Sequence, residues 1–148
     1  MQTVEYAEWI PYEPAAIYQF LTDPHNLASV VGRIQAAEVV ERQGETGKVR
    51  VMLDIPTRRA VETTGDVFGV LNEELNFQTH EPFPLEFQWQ FIPQEQDGIA
   101  GTDVHASLGI DLSLFGMAMG SMLIRGIVMS DLRADMERLQ SGMRALYG

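Results

Sequence analysis

Phe87, Trp89 and Phe91 alternate with Glu86, Gln88 and Gln90, and far along the chain Arg125 stands between Met122 and Met129. The aromatic triplet offers large apolar area and one oriented donor, the Trp89 indole N–H, which wants an acceptor when buried. That combination suits the wall of a small-molecule pocket as well as it suits a plain core. Arg125 belongs to SLFGMAMGSMLIRGIVMSDL, residues 113–132, a nearly uncharged run broken by glycines and rich in methionine. Either its stem lies on apolar surface with the guanidinium in water, or the guanidinium turns inward. Inward, it needs a carboxylate or an anionic guest, because an unpaired buried charge costs several kcal/mol. Glu8, on the Val4, Tyr6 and Ile10 side of a first strand, and Glu62 or Asp66 in a fourth, are the candidate partners. In that geometry Arg125 would fix the polar end of an otherwise apolar ligand. Met119, Met122 and Met129 serve either as core or as a cavity wall that repacks around differently shaped guests, since Met is unbranched and polarizable.

Other chemistries find little support. The chain has no cysteine, which removes disulfides, thiolate nucleophiles, zinc ribbons and iron–sulfur clusters together. His25, His80 and His105 lack ligand-like spacing, and His105 falls on the polar face of its strand, so neither a metal site nor a cofactor is expected. No nucleophile elbow, zinc-protease helix, P-loop or dinucleotide glycine pattern is present, and no catalytic residue can be assigned. A formal charge of −11 opposes nucleic acid and anionic membrane, and the densest basic spot is only Arg58–Arg59. The apolar run from Leu114 to Met129 falls short of the roughly 20 residues a spanning helix needs, and it contains Arg125. The opening MQTVEYAEWI has no basic-then-apolar leader pattern, so a cytoplasmic location is expected.

The elements that must position these residues follow from periodicity. At 148 residues the chain suits one domain over 1–148. A strand is predicted over Thr3–Ile10. Pro14 opens a short helix whose Ile17, Phe20 and Leu21 share a face, and Asp23–Pro24 caps a second running towards Val31. From Arg33, six more strands are separated by turn chemistry at GETG (44–47), IPT (55–57), NEE (72–74), PFP (82–84) and QDGIAG (96–101). Leu85, Phe87, Trp89 and Phe91 mark the inner face of one strand, and Val104, Ala106, Leu108, Ile110, Leu112 and Leu114 that of the next. After residue 117 the period becomes helical. Counting back from Leu146 in steps of three and four gives a stripe of Met143, Leu139, Met136, Leu132, Met129, Arg125 and Met122.

This order resembles the SRPBCC superfamily, which includes START lipid-transfer domains, birch-pollen-allergen-like proteins and polyketide cyclase/dehydrase-like proteins. The resemblance is carried by IPYEPAAIYQFLTDPHNL, GTDVHASLGIDL and the last helix through MSDLRADMERL, and it covers essentially the whole chain. It implies an α+β helix-grip fold, with a seven-stranded curved antiparallel sheet wrapped around a long C-terminal helix and two short helices after strand 1. An apolar cavity is then expected under the N-terminal half of that helix, opening at its glycine-rich start. Its walls would be Phe87, Trp89, Phe91, Leu108, Ile110, Leu112, Met119, Met122, Arg125 and Met129. Within the superfamily, LTDPHNLASVVGRIQ and GTDVHASLGIDLSLFGMAMGSMLIRG are also similar to carbon monoxide dehydrogenase G-like proteins, which tend to carry Pro-Gly at Val31–Gly32. The resemblance implies binding or carriage of a lipid, isoprenoid or polycyclic aromatic. The alternatives are a cyclase in which Arg125 and a carboxylate polarise a carbonyl, or an accessory protein acting through a partner, a homodimer or a membrane contact.

Overall fold

The computed structural model describes residues 2–55, 60–111 and 120–148. Strand β1 (Gln2–Ile10) is followed by helices α1 (Pro14–Leu21) and α2 (Pro24–Val30). Strands β2 (Ile34–Gln43), β3 (Thr46–Leu53), β4 (Val61–Val70), β5 (Glu74–Thr79), β6 (Leu85–Gln96) and β7 (Ile99–Ile110) come next, and helix α3 (Ser121–Tyr147) closes the chain. The seven strands form one antiparallel sheet in the order β1-β7-β6-β5-β4-β3-β2. This is the helix-grip α+β architecture expected from the sequence.

Local chemistry explains the joints. Proline at the first position opens both short helices, and the Asp23 side chain accepts from the backbone N–H groups of His25 and Asn26 at α2. Gly44 takes the β2–β3 turn at φ 59°, and the β6–β7 hairpin turns through Asp97–Gly98 at φ 51° and 78°, the positive values that a tight two-residue hairpin requires. The turn is shorter than the expected 96–101, because Ile99, Ala100 and Gly101 extend the ladder opposite Gln96, Glu95 and Gln94. The IPT turn and Arg58–Arg59 lie wholly or partly outside the described residues.

On the concave face, cross-strand neighbours repeat the alternation. Leu75 pairs with Trp89, Trp89 with Ala106, Phe91 with Val104, and Val4 with Leu108. Helix α3 lies against β1 on one side and α2 on the other. Towards β1, Gln140 donates to Glu8, and Arg125 donates to the Gln2 side chain at 3.1 Å and to the Thr3 carbonyl at 3.2 Å. Towards α2 and β2, Arg138 donates to the Val30 carbonyl at 2.8 Å, and Asp131 pairs with Arg33 at 2.8 Å. The helix thus ties the β1 edge of the sheet to α2 and the residues just before β2.

The buried stripe of α3 is Ile124, Val128, Leu132, Asp135, Met136, Leu139 and Met143. It departs from the expected stripe in the first half of the helix. Between 124 and 136 burial advances by fours, and each step of four turns the face about 40° beyond a full revolution. A strict three-and-four alternation therefore leaves the buried side. Met122 is 86% exposed, Arg125 is exposed and Met129 is half-buried. Leu146, at the other end, is exposed as well.

Candidate functional site

The concave face, α1–α2 and the middle of α3 line a partly open cavity of about 120 Å³. Its walls are mainly apolar: Leu21 and Leu27 from the short helices, Val49 and Leu53 from β3, Leu75 and Phe77 from β5, and Leu132 from α3. Leu85, Phe87, Trp89, Leu108 and Ile110 complete the wall from β6 and β7. Phe87 and Trp89 pack with ring centroids 5.6 Å apart. On β4, Gly65 leaves room for the Phe77 ring and Gly69 for the Tyr18 hydroxyl.

Two polar clusters meet the apolar wall. At the β2–β3 turn the Tyr18 hydroxyl donates to the Glu45 carboxylate, tying α1 to the hairpin, while the Gly69 N–H donates to the Glu45 carbonyl at 2.8 Å. Burial first, and then the bond to Glu45, push the Tyr18 phenol above its ordinary pKa, so it stays a neutral donor. The edge of the Tyr18 ring rests on Phe91, with centroids 6.2 Å apart. Across the cavity, Asp135 accepts from the Gly32 N–H at 3.0 Å and from Arg138, next to the Arg33–Asp131 pair. Asp135 is 3% exposed, and burial raises its pKa above the ordinary carboxylate value although Gly32 and Arg138 pull the other way.

Of the residues singled out in the sequence, Phe87, Trp89, Leu108 and Ile110 form part of this wall. Phe91 is buried beside it against Tyr18. Met129 is half-buried against the core, whereas Met122 and Arg125 point away from the cavity; the guanidinium is the rim cation of the first alternative, held by Gln2 and Thr3. Leu112 and Met119 lie outside the described residues. Glu8 sits under the second half of α3, accepting from Tyr6 at 2.8 Å and from Gln140, and is no partner of Arg125. Its bond to Tyr6, more than burial, raises the Tyr6 pKa. Glu62 is exposed and pairs with Arg50 at 3.2 Å, and Asp66 is exposed on the outer side of β4. The polar groups that do reach the cavity include Tyr18, Glu45, Arg33, Asp131 and Asp135. Both Tyr18 and Asp135 carried a signal. Tyr18 completes the 14-17-18-21 helical spacing of α1, and Asp135 interrupts an apolar stripe just as Arg125 does in the sequence. Among the described residues no three His, Asp or Glu side chains converge as a metal site would require, and no helix is long and apolar enough to cross a membrane.

A curved seven-stranded sheet gripping a long terminal helix over an apolar cavity is the fold of the START-like SRPBCC proteins, and this chain has that fold. Solved structures with the same architecture include a protein from Thermus thermophilus, 19% identical over 99% of this chain and 100% of that one, with a TM-score of 0.78. A START superfamily protein from Mycobacterium smegmatis is 12% identical over 97% and 98% of the two chains, with a TM-score of 0.77. The Zhui aromatase/cyclase from Streptomyces sp. R1128 is 12% identical over 97% and 93%, with a TM-score of 0.67. No protein-family model and no curated protein matches the sequence.

Proposed function

We propose that this protein binds, and by reversible release carries, an apolar small molecule between the concave face of the sheet, α1–α2 and α3. The observation that carries the reading is the cavity itself, with its mainly apolar wall built from strands and all three helices. A guest entering it is held by burial of apolar surface, worth roughly 25 cal/mol per Å². A ringed skeleton fits walls made of Phe77, Phe87 and Trp89, and lipids or isoprenoids belong to the same chemical class. The START superfamily neighbour supports the reading at the level of architecture. Native mass spectrometry of the purified protein, followed by denaturing analysis of whatever is retained, tests it. A retained lipid, isoprenoid or polycyclic compound is the expected result. A bare protein that also fails to take up fluorene would refute the reading.

A cyclase-like activity is the second reading, favoured by one observation. Asp135 places a buried carboxyl, its pKa raised by burial, at the wall of an apolar cavity, which is the setting a general acid needs. The aromatase/cyclase neighbour gives it an architectural precedent. In this reading Asp135, rather than Arg125 with Glu8, Glu62 or Asp66, is the group to test. Turnover of a linear polyketone by the wild type, lost in Asp135→Asn, supports it; no turnover by the wild type sinks it. The likeness to carbon monoxide dehydrogenase G-like proteins remains a resemblance of sequence stretches, and an accessory role would draw on the exposed Met122 and Leu123 at the start of α3.

A further inference from the structure

Among the described residues, the buried polar side chains are almost all provided for. Thr63 donates to the Glu81 carbonyl, Thr79 to the Phe83 carbonyl and Thr102 to the Tyr12 carbonyl, while Asn76 bonds to the Phe68 carbonyl and to Gln88. Trp89 is the exception among the described residues: it is 1% exposed, and its Nε1–H has no partner. Within the sheet, its neighbours offer none. The inward neighbours of Trp89 are Leu75 and Ala106 across the strands and Phe87 and Phe91 along its own, all without a side-chain acceptor. Trp9 shows the contrast, since its indole donates to the Gln94 carbonyl at 2.7 Å. A phenyl ring at position 89 would fill much of the same space without leaving a donor unsatisfied, so the indole is a poor choice for packing alone.

We infer that the guest presents an acceptor oxygen, of the carbonyl or ether type, to the Trp89 indole N–H. The inference rests on the apolar-guest reading and narrows it to oxygenated guests. Trp89 forms part of the cavity wall with its Nε1 itself buried, and Phe87 packs half-buried against the indole, so admitting the oxygen requires the side chains around Nε1 to shift. The apolar remainder of the wall holds the skeleton, and the single donor sets its orientation.

Fluorene and 9-fluorenone share a skeleton and differ by a methylene against a carbonyl, so their comparison isolates the acceptor. Titration calorimetry with the wild type is expected to show fluorenone binding about fivefold or more tightly than fluorene, the gain of one net hydrogen bond. In ¹H–¹⁵N spectra the Trp89 indole proton, distinguished from that of Trp9 by Trp9→Phe, should move downfield with fluorenone and not with fluorene. Trp89→Phe, its fold checked by circular dichroism, should bind the two compounds equally. Equal wild-type affinities with no downfield shift would overturn the inference and leave the apolar-guest reading standing. Failure of both compounds to bind would overturn that reading, and the inference with it.

Discussion

Asp135 carries the least comfortable charge among the described residues. It is nearly sealed from water, and burial outweighs the Gly32 N–H and the Arg138 guanidinium in setting the direction of its shift. The folded protein therefore holds this proton more tightly than the unfolded chain, whose carboxyl titrates near 3.8. Above that pH the native state binds more protons than the unfolded one, so this group removes stability as pH rises through the window. Asp135→Asn keeps an acceptor for Gly32 and cannot ionise. Its stability relative to wild type should accordingly improve as pH rises above the unfolded value of 3.8, as read by urea denaturation at each pH. A constant difference would mean that Arg138 fully compensates the buried charge. Tyr18 makes the simpler case: Tyr18→Phe keeps the ring on Phe91 and deletes the donor to Glu45. A loss of about 1 kcal/mol is expected, which thermal unfolding would read as a fall of about 3 °C.

At the scale of elements, glycines with different surroundings should respond in opposite ways. A Cβ on Gly65 would meet the Phe77 ring and the Gln78 backbone oxygen at 2.8 Å, so Gly65→Ala should cost roughly 1–3 kcal/mol by forcing β4 and β5 apart. Gly126 is exposed in α3 with nothing within 4 Å of such a Cβ, and Gly126→Ala should raise stability by up to about 1 kcal/mol through helix propensity alone. Chemical denaturation of the two variants checks both signs. The same contrast bears on what could be read in the sequence. Strand alternation survived folding because its period of two is fixed by the pleat, and so Phe87, Trp89, Leu108 and Ile110 could be assigned to one inner face from spacing alone. Proline and aspartate placed the two short helices for equally local reasons. The face of α3 is different, because which side is buried depends on how a long helix crosses a curved sheet. That crossing is a tertiary property, and it turned Arg125 outward and Asp135 inward although both interrupt an apolar stripe.

Across the whole molecule, the cavity touches elements that few direct bonds otherwise connect. The β2–β3 turn reaches α1 through Tyr18 and Glu45, α2 and the residues just before β2 reach α3 through Arg138, Asp135 and Asp131, and the apolar wall lies between the two clusters. A guest that fills the space adds contacts to both sides at once and should slow the local openings that separate them. Hydrogen exchange with and without fluorene is therefore expected to show added protection at residues 43–47 and in α2. The outer stretch of β1 around Gln2 and Thr3, held by Arg125 on the far side of the helix, should be unaffected. Arg125→Leu supplies the control: it should speed exchange at those first residues of β1 while leaving fluorene affinity within about twofold, because lost rim contacts are worth little. Protection confined to the start of α3, with the β2–β3 turn unchanged, would move the entrance to the end of the helix where the glycine-rich stretch placed it. An affinity loss of tenfold or more in Arg125→Leu would return that guanidinium to the binding site.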